Sequence, residues 1–444
     1  MTLRFGTDGL RGLANVELTP ELVLALGRAA ARQLAADRFV VGRDTRRSGP
    51  LLESALAAGL AAEGVTVERL GVVPTPAVAW VARAEGAAGA VVSASHNPAP
   101  DNGVKFFAPG GRKLDDATET RLEAALDDLL HRPRRGDPPA GADVGAVTDR
   151  HDLVDRYVHA VAGAIAEPLA GMRIVLDCAH GAATPVARAV FDGAGASVEV
   201  INDRPDGTNI NAGCGSTDTG PLSEAVVSLA AHAGLAFDGD ADRVVAVDER
   251  GQAIDGDQII AVLADDMHRR GVLRGDAVVV TVMSNLGLRR AMAERGIRVV
   301  ETPVGDRHVL EAIEREQLSL GGEQSGHVIF RDLATTGDGL LTGLQLLDAV
   351  RRSGRSLAEL AAGAMTRFPQ VLRNIPVDGR GRDLDVELAE EVGAVEEVLG
   401  ETGRVVVRAS GTEPVVRVMV EAATAAEAEQ AADRLADAVR AALT

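Results

Sequence analysis

DGDADR, from Asp238 to Arg243, sets carboxylates at i, i+2 and i+4. In an extended segment Asp238, Asp240 and Asp242 face the same way, and three like charges on one face repel unless a hard cation sits among them. Oxygen-only donors in a compact loop suit Mg²⁺, with positions left for water or phosphate oxygens. The apolar runs Leu235 to Phe237 and Val244 to Val247 flank the loop, which is unusual for a solvated acidic turn. Arg243 follows at once, and its guanidinium is suited to holding a phosphate oxygen bidentately beside the metal.

Four other strings carry polar side chains at useful spacings. SASHNP places Ser93, Ser95 and His96 in a tight turn with Asn97 and Pro98. A serine there becomes a nucleophile only if a base takes its proton, and His96 is adjacent in sequence without being thereby in hydrogen-bond geometry. GGEQSGH offers Glu323 and Ser325 to sugar hydroxyls and His327 as a group titrating near neutrality. RASGTEPVVR gathers Arg408, Ser410, Gly411, Thr412 and Arg417, whose hydroxyls, backbone N–H groups and guanidinium groups together fit a phosphate. FGTDGLRG supplies Arg11, and DNGVKFF supplies Lys105 soon after the serine loop. Each string taken alone also fits a capped turn or surface charge.

The elements that must position these loops repeat three times. FVVGRD from Phe39, IVLDCAH from Ile174 and VVVTVMS from Val278 are β-branched runs that lead into helical stretches. Each helix stops at a glycine, and EGVTVERL, AGASVEVI and RGIRVVET follow as second strands. A third apolar run closes each unit and opens into GAVVSASHNP, GLAFDGDADR or SLGGEQSGH. Alternating strands and helices predict mostly parallel sheets with right-handed crossovers, whose ligands lie beyond the carboxyl ends of the strands. Three similar α/β domains, 1–150, 151–252 and 253–368, would then point one edge each at a shared cleft. Residues 369–444 form a smaller α+β domain, with two strand-like runs flanking RASGTEP and an alanine-rich amphipathic helix from Ala423. A hinge is expected between Pro369 and Arg382.

Composition narrows the function. A length of 444 residues fits about three domains, four if one is small. With 46 basic against 65 acidic residues the net charge is −19, which argues against non-specific nucleic-acid or anionic-membrane binding. Aromatic content of 2% leaves no stacking platform for single strands. No apolar window approaches the ~20 residues of a spanning helix, and MTLRFGTDG lacks a signal-peptide core, so a cytoplasmic protein is expected. Cys178 and Cys214 are the only cysteines and read as reduced and structural. Lys105 and Lys113 are the only lysines among those 46 basic residues, so a lysine stands against the compositional drift towards arginine.

In order, FGTDGLRG, SASHNP, DNGVKFF, DGDADR, GDRHV, GGEQSGH and RASGTEP resemble the α-D-phosphohexomutases over essentially the whole chain. That resemblance implies four domains around a central cleft and a phosphoserine at Ser95. It implies Mg²⁺ on Asp238, Asp240 and Asp242 with a phosphoserine oxygen. Glu323 and Ser325 would hold sugar hydroxyls, with Arg307 and His308 of GDRHV also on the substrate. Arg408, Ser410, Gly411, Thr412 and Arg417 would grip the non-reacting phosphate. Arg11, His96, Lys105, Arg243 and His327 would surround the transfer, Lys105 and His327 moving the proton. The implied reaction converts D-glucosamine 6-phosphate reversibly into D-glucosamine 1-phosphate, an amino-sugar precursor of the cell wall. It runs through a bound 1,6-bisphosphate, and glucosamine 1,6-bisphosphate or another phosphoryl donor loads the enzyme. Glucose or mannose phosphates, a phosphoserine-forming phosphatase and a sugar-phosphate sensor remain as alternatives. Ala409 stands where many relatives carry proline, and His308 where tyrosine is common. The expected partners are small sugar phosphates, and the oligomeric state is not legible.

Overall fold

The computed structural model describes residues 9–131, 137–377, 387–409 and 415–443. Four sheets follow one another along the chain. The first orders its strands Leu10–Leu13, Asp101–Ala108, Ala88–Val92, Arg38–Arg43, Thr66–Val72 and Val147–Asp149, with Arg112–Lys113 beside Asp101–Ala108. The second runs Ala253–Ile254, Val244–Asp248, Ala233–Phe237, Arg173–Asp177, Ser197–Ile201. The third runs Arg298–Thr302, Ala277–Thr281, Leu320–Gly322, Val328–Phe330.

A common unit lies inside these three sheets. The chain makes a first strand, crosses through a helix to a second on one side, crosses back to a third on the other, and returns antiparallel as a fourth. The sheets are therefore mixed and mostly parallel, the α/β architecture expected from the repeat. The first strands, Arg38–Arg43, Arg173–Asp177 and Ala277–Thr281, are buried β-branched runs. Past each first crossover helix the chain turns at Gly64, Gly195 or Gly296, all at φ between +71° and +88°, where a Cβ would be strained.

The equivalence decides where the chemistry falls. The turn between the third strand and its antiparallel return holds SASHNP in the first unit, DGDADR in the second and EQSGH in the third. All three loops leave the carboxyl end of a parallel strand beside the point where the strand order reverses, the place at which open α/β sheets bind ligands.

One apolar cluster runs without a break through the first three units, from Val40 through Tyr157 and Leu235 to Met365. The fourth sheet is antiparallel throughout, in the order Gln370–Pro376, Val415–Glu421, Arg404–Ala409. Its core is separate, built from residues such as Val371, Val418 and Leu435 under the helix Ala425–Leu443. Part of the expected hinge, residues 378–382, lies outside the described residues.

Candidate active site

Ser95 is nearly enclosed and sits in the left-handed region at φ +49°. A serine in that conformation is strained and must be held there by its surroundings. The holding group is Arg46, fully buried on the loop after the first strand. Its Nε meets Asp44 Oδ2 at 2.8 Å, and its Nη2 donates to the carbonyls of Ser95 at 2.9 Å and Asn97 at 2.8 Å. Nη1 donates to the carbonyls of Asp101 at 3.0 Å and of Pro98. Ser93 Oγ bonds Asp44 Oδ2 at 2.6 Å and receives the Ser95 N–H at 3.0 Å. Asn211, from the second unit, donates to the Ser95 carbonyl at 2.9 Å. Arg11 reaches the loop through Asn97 Oδ1 at 3.4 Å.

The Ser95 hydroxyl donates to Asp238 Oδ2 at 2.6 Å, across 143 residues. His96 Nδ1 lies 3.3 Å from the same hydroxyl and 3.0 Å from Arg243 Nη1. Because a guanidinium only donates, that imidazole nitrogen is an acceptor towards Arg243. The shorter contact of Ser95 is with the carboxylate.

Asp238, Asp240 and Asp242 each offer an oxygen, and these oxygens lie within 4.8 Å of one another. They do not converge by strand alternation, as an extended segment would have them. Residues 238–243 form a tight turn through Ala241 at φ +56°, so curvature of the backbone gathers them. Gly239 permits the close approach of the serine loop, since a Cβ there would stand 2.5 Å from the Ser95 carbonyl oxygen. Burial, then the charges of Asp240 and Asp242, push the Asp238 carboxyl well above the usual range. Burial works the same way on Asp242, yet His327, Lys105 and Arg243 outweigh it and hold that carboxyl well below the usual range. Thr75 Oγ1 bonds Asp240 Oδ2 at 2.6 Å, while Asp240 Oδ1 and Asp242 Oδ1 are buried with no hydrogen-bond partner among the described residues. Two orphaned carboxylate oxygens in a closely packed acidic triad fit a hard divalent cation.

His327 is buried at the end of the third loop, with Nδ1 3.4 Å from Asp242 Oδ2 and Nε2 accepting the Gly337 N–H at 3.0 Å. Lys105 Nζ stands 3.9 Å from Asp242 Oδ2 and 3.9 Å from Asp306 Oδ2. Glu323 is half-buried and accepts the Gly305 N–H at 3.1 Å, and Ser325 is exposed. Arg307 is turned towards the first unit, paired with Asp116 and Glu119 on the helix Asp116–His131. His308 is half-buried beside Glu311. In the fourth unit Arg408 and Arg417 are directly opposite on antiparallel strands. Like charges in that register are unfavourable without an anion, and burial with the nearby Arg417 lowers the Arg408 pKa. Ser410, Gly411 and Thr412 lie outside the described residues.

Residues 2–132, 155–251, 255–368 and 358–438 match domains I, II and III and the C-terminal domain of phosphoglucomutase/phosphomannomutase. The chain is 55% identical to a phosphoglucosamine mutase from Streptomyces griseus subsp. griseus, covering 99% of each. The chain belongs to the phosphoglucomutase/phosphomannomutase family. A family member from Burkholderia thailandensis superposes with a TM-score of 0.82 at 27% identity, covering 99% of this chain and 97% of that one. Aspergillus fumigatus N-acetylphosphoglucosamine mutase, solved with GlcNAc-6P and magnesium, shares the fold at a TM-score of 0.72 and 20% identity, over 100% of this chain and 96% of that one.

Within this phosphohexomutase the residues missed from sequence are the buttresses. Asp44, Arg46, Thr75 and Asn211 touch the site loops but sit in strings with no chemical signature, and Asp306 stands inside GDRHV, where Arg307 and His308 carried the reading. Lys113 had one, as the second of two lysines, and the structure pairs it with Asp306.

Proposed function

We propose that this chain interconverts D-glucosamine 6-phosphate and D-glucosamine 1-phosphate, the activity for which its 55% identical relative is named. The units 1–150, 151–252 and 253–368 each bring one loop to the cleft, and 369–444 would supply Arg408 and Arg417. The observation that carries the reading is the 2.6 Å contact between the strained Ser95 hydroxyl and Asp238, at the head of a triad fit for a metal.

Ser95 carries the phosphoryl group. A free sugar hydroxyl attacks phosphorus as the Ser95 Oγ–P bond breaks, giving a 1,6-bisphosphate. The bisphosphate turns round in the cleft and returns its other phosphoryl group to Ser95. Bound Mg²⁺, held by Asp238, Asp240 and Asp242, would neutralise charge on the transferring group. His96 lies beside Ser95 Oγ and Arg243 beside His96, so they orient the phosphoryl oxygens, and Arg11 keeps the loop in place through Asn97. Lys105, with its ammonium at the rim of the triad, supplies charge, gives a proton to the Ser95 oxygen as it leaves and takes up the sugar proton in exchange. His327, enclosed between Asp242 and the Gly337 N–H, acts by fixing Asp242. Arg408 and Arg417, with Ser410, Gly411 and Thr412, hold the phosphate that does not react. Glu323 and Ser325 take the sugar hydroxyls, His308 lies at their margin, and Arg307 joins the third unit to the first. Phosphoryl transfer asks mainly for positioning and charge neutralisation, and an enclosed Ser95 keeps water from the phosphoserine.

The test is turnover with Mg²⁺ and a catalytic amount of hexose 1,6-bisphosphate. A kcat/KM for the glucosamine phosphate more than about tenfold above those for glucose and mannose phosphates is expected. A preference for glucose or mannose would move the sugar assignment, and release of free phosphate without isomerisation would replace mutase with phosphatase action. Ser95→Ala is expected to abolish turnover with the fold intact. Activity retained in that variant would overturn the phosphoserine.

A further inference from the structure

Both lysines of the chain stand on one β-hairpin, Lys105 on the strand Asp101–Ala108 and Lys113 on its partner Arg112–Lys113. Both reach the same carboxylate, Asp306, which enters from the third unit at the start of the helix Asp306–Glu316. Asp306 is 6% exposed, and its Oδ1 has no hydrogen-bond partner among the described residues. His327 Nε2 is 3.6 Å from Asp306 Oδ2, but that nitrogen already accepts the Gly337 N–H and brings no hydrogen to the carboxylate. The lysines bring the permanent positive charge to Asp306 in the ion pairs described.

Lys105 is equidistant from Asp306 and Asp242, 3.9 Å from each. The two carboxylates compete for one ammonium, and a buried carboxylate without a counter-charge is a strong competitor. We infer that Lys113 is a positioning residue that satisfies Asp306 and so leaves the Lys105 ammonium available to the phosphoryl side of the cleft. A compact ammonium, which offers three donors and no fixed plane, fits between closely spaced carboxylates where a planar guanidinium does not. That accounts for lysine at these two positions in a chain that uses arginine for every other permanent cation. The inference rests on the proposed mutase reaction only for what Lys105 does once it is available.

Three variants of the full chain test it: Lys113→Met, Asp306→Asn and the double variant. Each is assayed for kcat and KM with glucosamine 6-phosphate. Each is also acylated under native conditions, and labelling of Lys105 is followed by mass spectrometry. Lys113→Met should lower kcat by about tenfold or more with KM little changed, because Lys105 is misplaced while the sugar contacts persist. It should also slow Lys105 acylation. Asp306→Asn should lose less, and adding it to Lys113→Met should restore kcat and labelling to the level of Asp306→Asn alone. Equal losses in all three variants would reduce Lys113 to one half of a plain ion pair and overturn the inference, as would unchanged Lys105 labelling in Lys113→Met. Should Lys113→Met not fold, slower Lys105 labelling in Asp306→Asn than in the wild type overturns it, and labelling no slower supports it. A failure of the mutase reading looks different: the wild type itself would not isomerise the sugar phosphate, while the labelling rates would still report on Lys105.

Discussion

At the residue scale the site turns on how each acidic oxygen is held. Asp238 takes the Ser95 hydroxyl, Asp242 is engaged by His327 and Lys105, and Asp240 is oriented by Thr75, whose backbone N–H also bonds the Asp240 carbonyl at 2.9 Å. Thr75 begins the helix Thr75–Glu85 and belongs to no recognisable motif. Thr75→Val keeps the shape and removes the hydroxyl. Groups that orient metal ligands typically change affinity 10–100-fold, so the variant should need about 10–100-fold more Mg²⁺ for half-maximal activity. An unaltered Mg²⁺ titration would dissociate Thr75 from the triad. Asp240→Asn, which removes the ligand charge itself, should cut Mg²⁺-dependent turnover severely at any metal concentration. Wild-type activity with unaltered metal dependence would take the triad out of the mechanism.

At the scale of elements, one strand–loop–return unit is used three times, and its loop is given a different task each time. Ser95, Ala241 and Gly326 sit in the left-handed region in the three loops, so the same sharp reversal presents a hydroxyl, a carboxylate cluster and the Glu323 turn. The serine loop has no regular structure of its own to hold it. Arg46 replaces that structure by donating to three of the loop's backbone carbonyls and to that of Asp101 at the start of the return strand, from a fully buried position. Arg46→Met leaves those carbonyls and Asp44 without their counter-charge. Breaking a buried pair from one side costs about 3–5 kcal/mol, and the denaturation midpoint should fall accordingly. At temperatures where the variant remains folded, kcat should drop by roughly 100-fold, as expected when a reacting group shifts by an ångström. A variant that kept wild-type kcat would show that the loop holds Ser95 without this arginine.

At the scale of the whole molecule, three units share a core and the fourth is joined by polar contacts. Gln370 Nε2 donates to the Met283 carbonyl at 3.2 Å, and Arg404 donates to the carbonyls of Val282 and Ser284 at 2.8 Å each while pairing with the buried Glu421. Beneath this joint Asp257 accepts the Asn285 N–H at 2.7 Å. Burial, with the charge of Asp255 adding to it, pushes the Asp257 carboxyl up to about 7. A carboxyl that holds its proton more tightly folded than unfolded adds stability fully below its unfolded value near 3.8, and loses it as pH rises through about 7. Asp257→Asn removes that dependence. The melting temperature of the variant relative to wild type should therefore rise between pH 5 and 8, by at least about 2 °C. A difference constant over that range would mean that Asp257 does not titrate there. Separately, Cys178 and Cys214 are buried as free thiols, with burial raising both. A thiol reagent should label neither until the protein unfolds, and rapid labelling of the native protein would refute that.

Much of this was legible from local chemistry. Strand propensity, a glycine after each helix and the polar run after each third strand are short-range properties, set by φ/ψ preference and hydrophobic period within a dozen residues. They were enough to find the repeat and the loops and to nominate side chains for metal, phosphate and sugar. Which loop meets which was not local. The contact of Ser95 with Asp238 spans 143 residues, and that of Thr75 with Asp240 spans 165. The gathering of the triad depends on a left-handed Ala241, a residue type that rarely adopts that conformation unless packing imposes it. Arg46 and Asp306 read in sequence as ordinary charges, and Arg307 as a substrate contact rather than a link between units. Burial and pairing across units gave them their roles, because a charge becomes an organising group only when the fold removes it from water and supplies its partners.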